Sequence, residues 1–154
     1  MDFSLRPAAW SDRAFIWSLR QATMRPLIDP LLGWDEPVQR GYADESLAGR
    51  IVLVEGVAAG VLTVSDWPRE KHLTWVAVRQ DLQGRGLGSA LVGRAQDEAA
   101  AVGLPLSLQV LGASPAVRLY RRLGFEAVAV ESLAPGVERL RMRWQAADTS
   151  GASR

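Results

Sequence analysis

Cysteine is absent from these 154 residues, which excludes disulfides, thiolate nucleophiles and zinc–sulfur sites together. Lysine occurs once, at Lys71, and histidine once, at His72. The rest of the positive charge is arginine, a compositional bias rather than a functional choice. An excess of either sign is also missing: 18 basic residues against 17 acidic ones leave a formal charge of +1, so no nucleic-acid partner is expected. No apolar run reaches the length of a membrane span, and residues 1–10 lack a basic-then-apolar signal pattern. The expectation is a cytoplasmic protein that makes no membrane contact and stays where it is made.

Internal repeats and low-complexity linkers are absent as well. The length fits one domain, expected over residues 1–145, with the small polar stretch 146–154 as a flexible C-terminal tail. With 48% hydrophobic and 23% charged residues, the chain has the composition of an ordinary globular protein. A chain of this size buries roughly 70% of its unfolded surface, enough for a core without staples.

Patterning places a strand at residues 3–6, then a cap from Trp10-Ser11-Asp12. The helix that follows takes Ala14, Phe15, Trp17, Ser18 and Ala22 on its apolar side, and Pro26 and Pro30 interrupt it. Pro37 suits a first helical turn and restarts a helix toward Ser46. Strands at 51–54 and 60–64 flank a loop at 55–59, and a strand at 72–78 follows a polar turn containing Pro68. A helix at 87–101 ends at Gly103-Leu104-Pro105, before a strand at 106–111, a short helix at 115–123 and closing strands at 125–131 and 137–144. A strand–helix–strand unit among hairpin-joined strands makes this an α/β chain with a mixed sheet.

The stretch that carries chemistry is Gln83-Gly84-Arg85-Gly86-Leu87-Gly88-Ser89, between a strand and an amphipathic helix. Its glycines let backbone N–H groups crowd around an anion, and the helix start adds the positive end of its dipole. A pyrophosphate suits such a loop, with Arg85 adding a charge-assisted contact; the plain alternative is a structural turn. Two known phosphate patterns fail. A P-loop needs Lys-Ser/Thr after its last glycine, and Gly88-Ser89 has no lysine. The dinucleotide fingerprint needs Gly or Ala where Ser89 stands and expects the first strand of a repeated unit, whereas this loop lies past mid-chain.

A third pattern matches. Gln83-x-x-Gly86-x-Gly88 resembles the Gln/Arg-x-x-Gly-x-Gly/Ala signature of the GNAT family of N-acetyltransferases. Ser114-Pro115-Ala116-Val117-Arg118-Leu119-Tyr120-Arg121-Arg122-Leu123-Gly124-Phe125 resembles the second half of that family's cofactor site, and Leu73-Thr74-Trp75-Val76-Ala77-Val78 resembles the strand before the loop. The likeness runs in the expected order over residues 51–144. It implies a GNAT-type mixed, mostly antiparallel sheet with helices on both faces. It further implies acetyl-CoA as cosubstrate and transfer of its acetyl group to a primary amine by direct attack, with no metal. Through the resemblance, Val76, Ala77 and Val78 lend backbone groups to the pantetheine arm, in the gap where their strand splays from residues 106–110. Gln83, Gly84, Arg85, Gly86, Leu87, Gly88 and Ser89 cradle the pyrophosphate, and Ser114 and Ala116 border the cofactor. A backbone N–H at 76–78 meets the oxyanion, and Tyr120 protonates the departing thiolate. An ordinary phenol and thiol, at about 10 and 8.5, have close proton affinities; the alternative is that Tyr120 only packs beside Leu119 and Leu123. Ala113 stands where the family usually carries Asn, with Ser114 beside it as a partial replacement. That departure leaves room for a second reading, a catalytically silent acyl-CoA-binding sensor or regulatory module.

An alkylammonium costs about 4–5 kcal/mol to deprotonate at pH 7, yet residues 73–78 hold no carboxylate. Asp66 and Glu70 in the preceding turn are candidates, as are His72, which reads more readily as a surface residue, and a carboxylate from the N-terminal helices relayed by water. The stretch Trp34-Asp35-Glu36 sets an aromatic face beside two carboxylates, a fit for a cationic amine. Trp34, Asp35 and Glu36 are therefore the expected substrate-binding residues and Glu36 the expected catalytic base, although Asp35 and Glu36 also stand where a helix start before Pro37 wants negative charge. The remaining tryptophans are scattered and suit core packing. The closing strand pair offers an edge through which a homodimer could form.

Overall fold

Alternating apolar residues give the central strands two hydrophobic faces, and different helices cover each. The computed structural model describes residues 1–147, and its elements run β1 (Ser4–Pro7), α1 (Arg13–Leu32), α2 (Glu36–Glu45), β2 (Arg50–Val54), β3 (Val57–Trp67) and β4 (Glu70–Val78). They continue as α3 (Leu87–Ala101), β5 (Leu106–Leu111), α4 (Ala116–Arg122), β6 (Glu126–Ala134) and β7 (Val137–Trp144). Most of the expected tail, residues 148–154, lies outside the described residues. The strands form one sheet in the order β1-β2-β3-β4-β5-β7-β6, antiparallel throughout except between β4 and β5. Val52, Leu62, Leu73 and Val78 pack against Leu91 and Ala95 of α3 and Val117 of α4. Their neighbours Ile51, Val61, Trp75 and Ala77 pack against Ile16 and Leu19 of α1 and Ala43 of α2. The result is the mixed, mostly antiparallel sheet with helices on both faces that the motifs implied.

The N-terminal third departs from the reading above. α1 runs unbroken through Pro26 and Pro30, although an interior proline costs about 3 kcal/mol. Pro26 has no N–H to offer the carbonyl of Ala22, four residues back, and Gln80 Nε2 donates to that carbonyl instead at 3.0 Å. The buried stripe of α1 is Ile16, Leu19, Arg20 and Ile28, shifted from the apolar side expected through Ala14 and Ser18. The loop expected at 55–59 shrinks to Glu55-Gly56, with φ of 52° and 78°, the paired positive values of a type I′ hairpin turn. β3 and β4 are accordingly longer than expected, and they absorb Asp66 and Glu70 from the supposed turn.

Candidate active site

A bulge bends β4 at the point where it leaves β5. Thr63 pairs with Trp75 and Val64 with Leu73, so Thr74 is the extra residue, and an extra residue of this kind kinks and twists its strand. Parallel pairing to β5 covers Lys71, His72 and Leu73 only. Beyond Leu73 the strands part, and a cleft of about 1340 Å³ opens with Val76, Ala77 and Val78 on one wall and Leu108, Val110 and Leu111 on the other. The Ala77 carbonyl lies against Gly60 of β3. Strand alternation therefore turns the N–H and C=O of Val76 to the opposite edge, which β5 has vacated.

At the end of β4 the glycine-rich stretch turns into α3. Gly84 and Gly86 have φ of 77° and 83°, values that glycine adopts without steric cost. Gly86 is the N-cap of α3, and no side chain caps that helix, so its first N–H groups face outward with the helix dipole behind them. Gln83 and Gly88 line the cleft, and Gln83 Nε2 holds the Val78 carbonyl at 3.0 Å. Gly84, Arg85 and Gly86 are exposed, Ser89 is half-buried and Leu87 is a core residue; none of these five is among the cleft-lining residues.

Across the cleft, Ser114 and Ala116 bring the start of α4 to the same space, with Ser114 Oγ accepting from Ala116 N at 3.2 Å. Ala113 is exposed. Tyr120 also lines the cleft, its ring edge-on to Phe125 at 5.7 Å between centroids. Burial pushes its phenol up to about 12, so the hydroxyl stays protonated and is able to donate a hydrogen bond.

The expected acceptor residues separate. Asp35 lines the cleft, yet its Oδ1 caps α2 by accepting from Val38 N at 3.2 Å. Glu36 is not among the lining residues; it is exposed and pairs with Arg40 at 3.1 Å. Trp34 packs against Trp17, 6.2 Å between ring centroids, beneath Arg25. Glu70 is buried in an ion pair with Arg141 and lies 3.6 Å from Arg143, whereas Asp66 is exposed and pairs with Lys71.

His72 is not the surface residue expected. Pairing to both β3 and β5 makes β4 central, so His72 is 5% exposed, stacked on Trp67 and bonded through Nδ1 to Ser107 Oγ at 2.8 Å. Burial first, then Arg141, lowers its pKa to about 4, against an opposing pull from Glu70. The unfolded chain takes up this proton as pH falls through 6.5, the folded chain only near 4. His72 thus contributes stability above pH 6.5 that drains away between 6.5 and 4, about 3 kcal/mol in all. His72→Gln should flatten the fall in melting temperature between pH 7 and pH 4.5; an unchanged profile would mean that other groups set it.

Two cleft residues are not named by the sequence pattern, although Glu45 is a carboxylate from an N-terminal helix of the kind expected. Glu45, at the end of α2, lines the cleft and makes no hydrogen bond among the described residues. Arg20 stands on the buried stripe of α1 and is 8% exposed. The signal was present: an arginine at core register between Ile16, Leu19, Thr23 and Met24.

A family model described as an acetyltransferase (GNAT) domain matches residues 43–127. No curated protein matches by sequence. Among solved structures, the chain resembles the Escherichia coli ribosomal-protein-S18-alanine N-acetyltransferase at 20% identity and TM-score 0.72, covering 96% of this chain and 97% of that one. The Thermoplasma acidophilum PaiA N-acetyltransferase in complex with coenzyme A is similar at 12% identity and TM-score 0.71, over 95% and 100% of the two chains. Arabidopsis thaliana NAA60 in complex with acetyl-CoA is similar at 13% identity and TM-score 0.68, over 94% and 100%. At these identities the likeness is one of fold.

Proposed function

The chain belongs to the GNAT acetyltransferase family, and from that premise we propose that it binds acetyl-CoA and transfers the acetyl group to a primary amine. The observation that carries the proposal is the parting of β4 from β5 after Leu73, beside an uncapped helix start and with Tyr120 on the same cleft. Structures of the same fold that hold coenzyme A or acetyl-CoA add support.

Acetyl-CoA supplies an acetyl group activated as a thioester. The free backbone edge at Val76 takes an extended arm as an added strand, bordered by Ala77, Val78, Ser114 and Ala116. The first N–H groups of α3, with Gln83, Arg85 and the loop glycines, receive the pyrophosphate. A backbone N–H of residues 76–78 faces the oxygen that gains charge during attack. Tyr120 donates to the departing sulfur. Asp35 already spends one carboxylate oxygen on its helix cap, so Glu45, rather than Glu36, takes the amine's proton in this reading.

Isothermal titration with acetyl-CoA, free CoA and NAD is the direct test. Micromolar binding of both CoA forms and none of NAD is expected, followed by thiol release with an amine panel. Folded protein that ignores every CoA species would end the proposal. Binding without turnover on any amine would favour a silent acyl-CoA sensor.

A further inference from the structure

Among arginines that form no ion pair within the described residues, Arg69, Arg85, Arg118, Arg121 and Arg122 are exposed; Arg20 alone is buried. A buried charge without a counter-ion loses several kcal/mol of hydration that no opposite charge returns. Burial accordingly pulls its pKa down to about 10, with Tyr42 and Glu45 opposing weakly.

Packing fixes how the guanidinium points. Gln39, itself 7% exposed, accepts from Nε at 2.9 Å. The rings of Tyr42 and Trp75 stand 5.2 and 5.4 Å from its central carbon. With Nε taken, the two Nη groups are left; they have no partner among the described residues and are not sealed from the cleft that Arg20 lines. Two parallel N–H bonds from an end-on guanidinium match the two oxygens of a carboxylate. The other charged cleft residues do not compete for this role: Asp35 caps α2, Arg139 is paired to Glu131, and Glu45 makes no bridge to Arg20.

We propose that the acceptor is a small amine that also carries a carboxylate, such as an α-amino acid, and that Arg20 binds this carboxylate through its Nη groups, making Arg20 the specificity-determining residue. Tyr42 and Trp75 wall the apolar part of the acceptor, and Glu45 stands on the same wall to meet its ammonium group. The inference rests on the acetyltransferase reading and narrows it.

The experiment compares acceptors that differ at one group: α-amino acids, their amides and the corresponding decarboxylated amines, each with saturating acetyl-CoA. The acids should show kcat/KM about 30-fold above the amides and decarboxylated amines, as expected for a charge-assisted pair. Arg20→Gln should erase that preference, leaving kcat/KM for the neutral compounds and the affinity for acetyl-CoA within about threefold of the wild type. Equal rates for acid and amide with the wild type would overturn the proposal. So would a loss of acetyl-CoA affinity in Arg20→Gln as large as the loss of acceptor, because Arg20 would then serve the cosubstrate. If the variant does not fold, the wild-type comparison decides alone. If turnover is absent, titration of the same compounds into the wild type reads the carboxylate contact without chemistry. Failure of the parent reading appears separately, as an absence of acetyl-CoA binding.

Discussion

Tyr120→Phe should lower kcat about 100-fold, the lower range for a positioned proton donor, while leaving the dissociation constant for acetyl-CoA within about twofold. Tyr120 meets Phe125 edge to face at 5.7 Å, and phenylalanine keeps that contact. The hydroxyl makes no hydrogen bond among the described residues, so its removal orphans no partner. What is lost is a donor aimed into the cleft. Burial makes it a weaker acid than the sequence alone suggests: an ordinary phenol lies about 1.5 units above a thiol, but at about 12 the gap is near 3.5 units. Complete transfer before the carbon–sulfur bond yields would cost about 5 kcal/mol. On the proposed mechanism, Tyr120 donates a hydrogen bond to sulfur as charge builds there and gives up the proton only as the bond breaks. A corollary is that kcat should show no alkaline fall near pH 10 traceable to Tyr120. If the variant lost acetyl-CoA affinity in proportion to kcat, the hydroxyl would be a binding contact; an unchanged kcat would remove Tyr120 from the chemistry.

The glycine-rich half of this candidate site was legible because its requirements are local. A left-handed turn needs glycine, and Gly84 and Gly86 supply it; a helix that must present free N–H groups needs a start without a side-chain cap, and Gly86 supplies that too. Such demands fall within a few residues and leave a pattern. The rest of the cleft is assembled at long range and leaves none. Gln80 supports α1 at Pro26 across 58 positions of sequence, and no local rule foresees an unbroken helix there. His72 is buried because β4 is paired on both sides, a fact of topology that its own neighbours in sequence do not carry. Asp35 and Glu36 are the opposite case. Their local role, starting α2, was plain, and the observed cap to Val38 and pair to Arg40 use those same groups. Arg20 was legible in principle, through its register with Ile16 and Leu19, but only once the buried side of α1 is known.

Gly60→Ala should lower the melting temperature by about 6–12 °C, the equivalent of about 3 kcal/mol in a chain of this size. It should also weaken acetyl-CoA binding about 10-fold or more. A Cβ at Gly60 would lie 2.2 Å from the Ala77 carbonyl oxygen and 3.3 Å from its carbon. Both atoms are backbone, so no side-chain rotation relieves the clash, and β4 must move away from β3. Overpacking typically costs about 1–3 kcal/mol, and a collision with a fixed carbonyl belongs at the upper end. The functional consequence follows from where the displaced carbonyl sits: Ala77 lies beside Val76, whose free edge faces the cleft. Two other glycines separate this from a general intolerance. A Cβ at Gly49 would meet the Thr63 hydroxyl at 2.4 Å, its Cβ at 3.0 Å and its Cα at 3.1 Å; turning the hydroxyl away gives up its 2.8 Å bond to Ser46 and leaves the two carbon contacts. Gly49→Ala should therefore cost stability without touching acetyl-CoA affinity. Gly93, inside α3, has nothing within 4 Å of the same position, and Gly93→Ala should stabilise by about 0.5–1 kcal/mol through helix propensity alone. Thermal melts paired with acetyl-CoA titrations on the three variants test the ordering. A Gly60→Ala protein that melts and binds like the wild type would show that the β3–β4 spacing is free to relax, and that the exposed edge of Val76 is not held where the arm must pair.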